Sequence, residues 1–436
     1  MTIRLVAVCV AFLVLPLSAA DLEIHTINVG WGGSVLVRGP NGTTVLLEAG
    51  RAGEGSGSVV PYLKDIGIKP ADGLDYTIVG HQHEDHLGGL DEVVEAGYDV
   101  EEKNYFNGSA AGGPSVNAWV VQAGRTTAGA PVAMGVGTRI DLGDGALLTC
   151  VAGNARVIGR QSRVPNIRNE NDLSLAILIQ YGGFDYLWAS DMGGGTTDQS
   201  CTGRTTAQRD MESFVIKAIS PGGAAPMISA GGIDVLHVNH HGSESSTNAT
   251  LMNFAAPAVA LISTGAGQAA NWNLPRKIVV EKVLSATLPC ITVPAAFVLQ
   301  TEDGQPRGPK TSRKGLSVGN IVLTTDGESG FTVDADGAVS QGASEVALAG
   351  LPLTFTLDDR PGERLLEARP MRESASPPAT SASARRVDDL LRDLRSLERE
   401  LRRDPQLTET VRAARLREVA QMKAAAEALM QALRQN

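Results

Sequence analysis

Four residues able to bind a metal ion stand within six positions, in His81-Gln82-His83-Glu84-Asp85-His86, directly after the strand-like run Asp75-Tyr76-Thr77-Ile78-Val79-Gly80. On extended chain His81 and His83 point the same way, because side chains alternate faces with a period of two. Asp85 and His86 stand where the chain enters the helix-like Leu87-Gly88-Gly89-Leu90-Asp91-Glu92-Val93-Val94. Imidazole nitrogen and carboxylate oxygen suit zinc. So many ligands in so short a loop suit two adjacent ions better than one closed structural site. The plain alternative is a solvated polar loop.

Two later segments can complete such a site. Tyr186-Leu187-Trp188-Ala189-Ser190-Asp191 is an apolar strand ending in one carboxylate, where Asp191 can bridge two ions. Asp234-Val235-Leu236-His237-Val238-Asn239-His240-His241-Gly242-Ser243 is a strand ending in tandem histidines, of which His240 or His241 is the ligand. Strand ends that converge on one rim make a good place for a site. His25 and His237 lie inside strands and read as packing residues.

The elements that must position these residues follow from periodicity. From Asp21, extended apolar segments alternate with Gly and Asn turns: Ile24 to Val29, Ser34 to Val37, Asn41-Gly42, then Thr43 to Leu47. Pro61 to Ile66 reads as a short helix with proline in its first turn. Later strands are expected at Leu175–Ile179, Tyr186–Ala189, Val235–Val238, Val259–Ile262 and Ile321–Leu323. Gly- and Ala-rich stretches near 108–137 and 193–232 read as long surface excursions. Strands, metal loop and helix succeeding one another indicate a layered αβ fold.

At 436 residues with 43% hydrophobic content, the chain can build a sizeable globular core with appendages. Residues 1–20 carry Arg4, the apolar run Leu5 to Leu15, Pro16 and the small residues Ser18-Ala19-Ala20. This is the pattern of a cleaved export signal, with Asp21 as the new N-terminus and a periplasmic or secreted destination. A retained anchor is the alternative, for which the run is short. Cys150, Cys201 and Cys290 then remain and permit at most one internal disulfide; Cys150 and Cys290 read as small buried residues. Residues 21–358 are expected to form the catalytic domain and 359–384, with Ser374 to Ser381, a solvated linker. In 385–436, Val387, Leu390, Leu394, Leu397 and Leu401 recur at helical spacing, and Asp404-Pro405 can cap a second helix, Leu407 to Leu433. Such a hairpin or coiled coil suits a structural tail, self-association or protein binding. That tail carries 12 Lys and Arg against 9 Asp and Glu, which leaves 26 against 39 for the rest, a net −13. The acidic body weighs against sequence-independent binding of a long polyanion over its whole surface, while a metal or a local basic groove can still hold a phosphate.

The three ligand segments, in this order, resemble the metallo-β-lactamase superfamily, with its HxHxDH, later Asp and final His. Finer features are similar to the hydrolase domain of competence-type DNA-uptake channel proteins. They are Ile27-Asn28-Val29-Gly30 with Gly32-Gly33-Ser34, Leu47-Glu48-Ala49-Gly50, His86-Leu87-Gly88-Gly89-Leu90, Asn171-Asp172-Leu173-Ser174-Leu175, Ser190-Asp191 and His240-His241-Gly242-Ser243. The resemblance covers roughly residues 22 to 300 and implies an αββα sandwich with the site on the edge between its sheets. Three departures stand out. No histidine lies from 87 to 236, where the superfamily places another ligand, so the first ion is expected to keep His81, His83 and bridging groups, helped by Asn169 or Asn171. Glu48 replaces the usual Asp of its turn. Asn271-Trp272-Asn273-Leu274-Pro275 stands where relatives read Gly-His-Pro. The chain has no multi-spanning channel segment and reads as a free-standing domain.

The expected chemistry is metal-assisted hydrolysis. His81, His83, Asp85, His86, Asp191 and His240 or His241 would hold one or two Zn²⁺, with Mn²⁺ as the alternative ion, and so bring the pKa of a water toward 7. Asp85 or Asp191 would orient that water and accept its proton. Asn171, Ser174 and Ser243 are candidate substrate contacts. The resemblance implies a phosphoester substrate, DNA or RNA among them, hence a phosphodiesterase. Hydrolysis of a β-lactam or another amide or ester is the alternative within enzymes. The lost histidine and the helical tail motivate a third reading, a catalytically weak scaffold or binding protein.

Overall fold

The computed structural model describes residues 21–357 except 205–207, 270, 305–309, 313, 343 and 346–350; beyond them it describes 366–367 and scattered positions from 411 to 425. The expected export signal, the linker and almost all of the C-terminal amphipathic pattern lie outside the described residues. By contacts the chain divides into a unit from Ala20 to Met371 and a second that comprises Met1–Ala19 and Arg372–Asn436. The fold described below is that of the first unit. No helix among the described residues is long and apolar enough to cross a membrane.

Two sheets form the centre. The first contains β1 (Leu22–Thr26), β2 (Val35–Arg38), β3 (Thr44–Leu47), β4 (Leu74–Val79) and β5 (Val100–Phe106). The second contains β6 (Arg139–Gly143), β7 (Ala146–Gly153), β8 (Ala176–Tyr181), β9 (Phe184–Trp188), β10 (Val235–His237), β11 (Val259–Ile262) and β12 (Phe297–Gln300). The chain then returns to the first sheet as β13 (Ile321–Thr325), β14 (Gly330–Ala335) and β15 (Leu353–Thr356). The orders are β15-β14-β13-β1-β2-β3-β4-β5 and β12-β11-β10-β9-β8-β7-β6, each extended by two-residue strands at its edges. Strands β3, β4 and β5 run parallel, as do β9, β10, β11 and β12; the other neighbours in the two orders pair antiparallel.

Strand alternation explains the layering. In the first sheet, Leu36 and Leu46 face α1 (Val60–Asp65), α3 (Leu90–Glu95) and α4 (Pro114–Ala123) through Leu63, Val93 and Trp119; α2 (Glu84–Leu87) lies between. In the second sheet, Leu178, Leu236 and Ala260 face α5 (Glu212–Ile219) and α6 (Ala249–Ala255) through Ile216 and Met252. The intervening strand positions, such as Val35, Val37, Ile177 and Ile179, are also buried and so point between the sheets. Rings bridge that interface: Phe184 to Phe331 with centroids 5.3 Å apart, and Phe297 to Phe355 at 6.0 Å. The expected αββα sandwich is therefore present.

Three local expectations are corrected. The helix-like run 87–94 is broken into α2 and α3 at Gly88-Gly89, and only glycine fits at 89, where a Cβ would lie 2.3 Å from the Ala49 carbonyl oxygen. The stretches 108–137 and 193–232 are not mere surface excursions. They hold α4 and α5, which bury Val116, Trp119 and Ala123, and Val215, Ile216 and Ile219, respectively. Cys290 is not simply a small buried residue but pairs with Cys201 across 89 positions; Cys150 is free and buried.

Candidate metal centre

Every ligand segment leaves the C-terminal end of a strand at the same edge of the sandwich. His81 follows β4, Ser190-Asp191 follows β9, and His240-His241 follows β10. The local backbone is unusual. Glu48, Ser190, His240 and His241 all have φ between 48° and 63°, a left-handed conformation that disfavours side chains by roughly 1–2 kcal/mol per residue. Such strain persists where the surroundings hold it, and here it sends the rings of His240 and His241 to one point, while Glu48 and Ser190 hold the Nδ1 atoms of His86 and His81.

Asp191 is that point. Its carboxylate is buried, with His81 Nε2 at 3.7 Å and His240 Nε2 at 3.4 Å from Oδ2, and His86 Nε2 at 3.3 Å and His241 Nε2 at 3.5 Å from Oδ1. Asp85 Oδ2 lies 3.6 Å from His86 Nε2 and 3.5 Å from His241 Nε2, and these two nitrogens are 3.2 Å apart. His83 Nδ1 stands 3.0 Å from His81 Nε2. Two ligand sets therefore share one carboxylate: His81, His83 and His240 on one side, Asp85, His86 and His241 on the other.

These residues fit a divalent ion by size and by chemistry. Ligand atoms about 2.0–2.1 Å from a tetrahedral zinc stand about 3.3 Å from one another, and the spacings around Asp85, His86, His241 and Asp191 centre on that value. Oδ1 of Asp191 is buried and has no hydrogen-bond partner among the described residues, although two imidazole nitrogens face it. The other ring nitrogen of each inner histidine is already engaged. His86 Nδ1 is 2.7 Å from Glu48 Oε2, His241 Nδ1 is 2.8 Å from the Ser263 carbonyl, His81 Nδ1 is 3.0 Å from Ser190 Oγ, and His240 Nδ1 is 2.8 Å from Ser245 Oγ. Such partners fix the tautomer that turns Nε2 toward a metal.

The electrostatics agree with that donor set. Burial by itself would raise Asp191, but the imidazoles of His240, His86, His241 and His81 outweigh it and hold the carboxyl well below its ordinary value. Asp85 is likewise held low by His86 and His241 against its burial. Burial lowers His81 and His240. His86 and His241 are raised despite burial, His86 by Glu48, Asp191 and Asp85, and His241 by Asp191 and Asp85. The pocket between the carboxylates favours positive charge.

Two residues matter more than their sequence context suggested. Glu48 is buried and accepts from Ser190 Oγ at 2.6 Å while its other oxygen holds His86, so it orients one ligand and the strand end that carries Asp191. The space around it is tight: a Cβ at Gly33 would lie 2.4 Å from Glu48 Oε2, and one at Gly80 2.5 Å from Oε1. Its signal was the Glu48-Ala49-Gly50 turn after a strand. His240 stands beside Asp191 Oδ2 with His81, the place expected to lack a histidine, and Asn171 Nδ2 is 3.3 Å from its Nε2. Asn169 instead accepts from the Asp172 amide at 3.3 Å.

The remaining candidates are placed as follows. Asn171 and Ser174 are both buried, Asn171 against His240. Ser243 is half-buried, 3.0 Å from the Ser245 hydroxyl that holds His240. His83, exposed, and Asp85, partly exposed, form the open side of the centre. His25 and His237 are hydrogen-bonded elsewhere, to Tyr62 at 2.9 Å and to Tyr186 and Ser263 at 2.8 and 3.0 Å. Trp31 packs its ring 4.4 Å from His241, and the exposed Trp272 lies 5.0 Å from Trp31, so the segment that departs from Gly-His-Pro brings an indole beside the site.

No protein-family model matches the chain. Over 284 residues it is 24% identical to Recombination protein 2 of Haemophilus influenzae, a match that spans 61% of this chain but only 27% of that relative. Among solved structures, the metallo-β-lactamase fold protein YhfI from Bacillus subtilis is similar at 13% identity, covering 60% of this chain and 94% of that one with a TM-score of 0.34. Zn²⁺-bound PqqB from Methylobacterium extorquens is similar at 12% identity over 50% and 72% of the two chains, with a TM-score of 0.28. With identities this low, the reading of activity rests on the geometry of the site itself. The αββα sandwich with candidate histidine and aspartate ligands gathered at one edge agrees with the arrangement that the sequence resemblance implied.

Proposed function

We propose that this chain is a metal-dependent hydrolase whose substrate is a phosphodiester. One observation carries the reading: each oxygen of Asp191 faces its own pair of imidazoles, so a single carboxylate stands between two groups of candidate ligands. Paired divalent ions are the common device for clamping the attacking and leaving oxygens of an in-line displacement at phosphorus. When bound, such ions supply Lewis acidity toward a phosphoryl oxygen and the attacking water. The chain's residues do the rest. Asp191, enclosed by four imidazoles, holds both sets in register. Asp85 is partly exposed at the open side of the centre, so it orients the water and takes its proton as the new P–O bond forms and the leaving oxygen departs. Asn171 steadies His240, and Glu48 steadies His86.

Zinc is the favoured ion on ligand chemistry, with manganese as the alternative. The match to a recombination protein supports a nucleic-acid substrate. The Cys201–Cys290 disulfide and the apolar run 5–15 support a working place outside the reducing cytosol, periplasmic or secreted. The C-terminal amphipathic segments are assigned to self-association or protein binding. The test is turnover of bis-p-nitrophenyl phosphate, stimulated by Zn²⁺ or Mn²⁺ and lost in His83→Ala and Asp191→Ala. Undiminished activity in both variants refutes the proposal, and nitrocefin turnover without diester cleavage would replace it by an amide hydrolase.

A further inference from the structure

Resting on the phosphodiesterase reading, we infer that a cationic cleft beside the metal centre binds further phosphates of the same strand, so the substrate is an extended nucleic acid rather than a small diester. The cleft has a volume of about 470 Å³ and is lined by Arg276, Lys277, Lys282, Lys310 and Lys314. The carboxylates in its wall are Glu244 and Glu281, and Lys314 already stands 3.9 Å from Glu281. Five cations against two carboxylates leave a net +3 at one place on a chain whose total is −10. A local positive field on an acidic body selects where a polyanion can lie and concentrates it there.

Two structural facts tie the cleft to the reaction. The Arg276 amide donates to the Gly242 carbonyl at 2.9 Å, and Gly242 directly follows His241, so the cleft borders the turn that carries two ligands. Glu244, two residues farther on, is part of its wall. The second fact concerns the Arg276 guanidinium itself. Its Nε and Nη1 are buried and have no hydrogen-bond partner among the described residues. Buried donor atoms without acceptors are costly, and a phosphate drawn into the cleft brings acceptor oxygens to this partly buried guanidinium. Lys277 and Lys282 are exposed and free to follow a backbone, as in other sites that track single strands. A diester held at the metal centre by one phosphate leaves this cleft unused, whereas a strand continues into it.

Binding of a fluorescent thymidylate strand to the full chain tests this, measured in EDTA over a range of salt so that no turnover is required. The variant Lys277→Ala/Lys282→Ala should bind about tenfold more weakly at low salt, and its slope of log affinity against log salt should fall by roughly 1.4, about 0.7 per lost contact on a single strand. The charge-keeping Lys277→Arg/Lys282→Arg should retain the wild-type slope. Lys64→Ala/Lys69→Ala removes the same charge from an exposed position elsewhere and should leave the slope unchanged. An unaltered slope in the cleft variant overturns the inference, and so does an equal drop in the distant pair. Turnover of bis-p-nitrophenyl phosphate by the wild type is read separately: its absence ends the hydrolase reading, while strand binding still decides the cleft.

Discussion

His240 and His241 are neighbours in sequence, yet they stand on opposite oxygens of Asp191, and their removal should empty different halves of the centre. Structural zinc sites bind with about 10–16 kcal/mol shared among four ligands, so one ligand is worth about 2.5–4 kcal/mol, or roughly 10²–10³ in affinity. His240→Ala should therefore weaken the half formed with His81 and His83 by about that factor and leave the half formed with Asp85 and His86 within a few-fold, because His240 faces only the Oδ2 side of the shared Asp191 among the described contacts. His241→Ala should do the reverse. Competition against a chromophoric chelator at neutral pH resolves two zinc affinities per chain. Double variants assign them: adding His81→Ala to His240→Ala should cost little more, because the same half is already damaged, while adding His86→Ala should remove the second ion as well. If His240→Ala leaves both affinities intact, or if its effect adds fully to that of His81→Ala, the division of ligands about Asp191 is wrong.

Glu48→Gln keeps the shape of the side chain but removes the charge that His86 and Ser190 address, and it should lower zinc affinity of the His86 half by about 10–100-fold; unchanged binding would assign Glu48 to packing alone. Cys201→Ser/Cys290→Ser opens a loop of 89 residues and should lower stability in urea by about 2–4 kcal/mol, with dithiothreitol reproducing the effect in the wild type; coincident unfolding curves would contradict it. Burial pushes the Glu212 carboxyl up to about 7, against the amides of Thr247 and Asn248, the Asn239 side chain and the charge of Arg204. Its folded pKa exceeds its unfolded one, so the folded state binds more protons between the two values and stability falls as pH rises from about 4.5 to about 7, by roughly 3 kcal/mol in total. In metal-free protein Glu212→Gln should remove that part of the slope, and an identical slope in variant and wild type would refute it.

What could be read in advance divides by distance along the chain. The first ligand cluster is local, a run of six residues directly after a strand, and its geometry follows from the chemistry of an extended segment entering a turn. Asp191 was legible only as the polar end of an apolar strand; its place between the two ligand sets depends on β9 and β10 lying parallel and adjacent. The role of Glu48 was hidden because it rests on a left-handed turn and on Ser190, which stands 142 positions away. The division of the tandem histidines had no pattern to announce it, since both residues of the pair adopt φ of 52° and only that backbone sends their rings to different oxygens. Gly- and Ala-rich composition concealed α4 and α5, although Val116, Trp119 and Ala123 keep helical spacing. The return of β13 to pair with β1, joining residues about 300 positions apart such as Leu22 and Thr325, is a long-range pairing that periodicity does not encode. Cys290 looked like packing because its partner, Cys201, lies 89 positions away in the stretch 193–232.

The central claim is that imidazoles and carboxylates from three strand ends hold paired ions that drive phosphodiester hydrolysis. Its most direct test is a zinc titration of the metal-free full chain, with bis-p-nitrophenyl phosphate turnover read at each addition. Turnover should be absent at the start, rise with added zinc and level off at two ions per chain, one for each face of Asp191. Turnover already complete in the metal-free chain, or none at saturating zinc and manganese, would contradict the account.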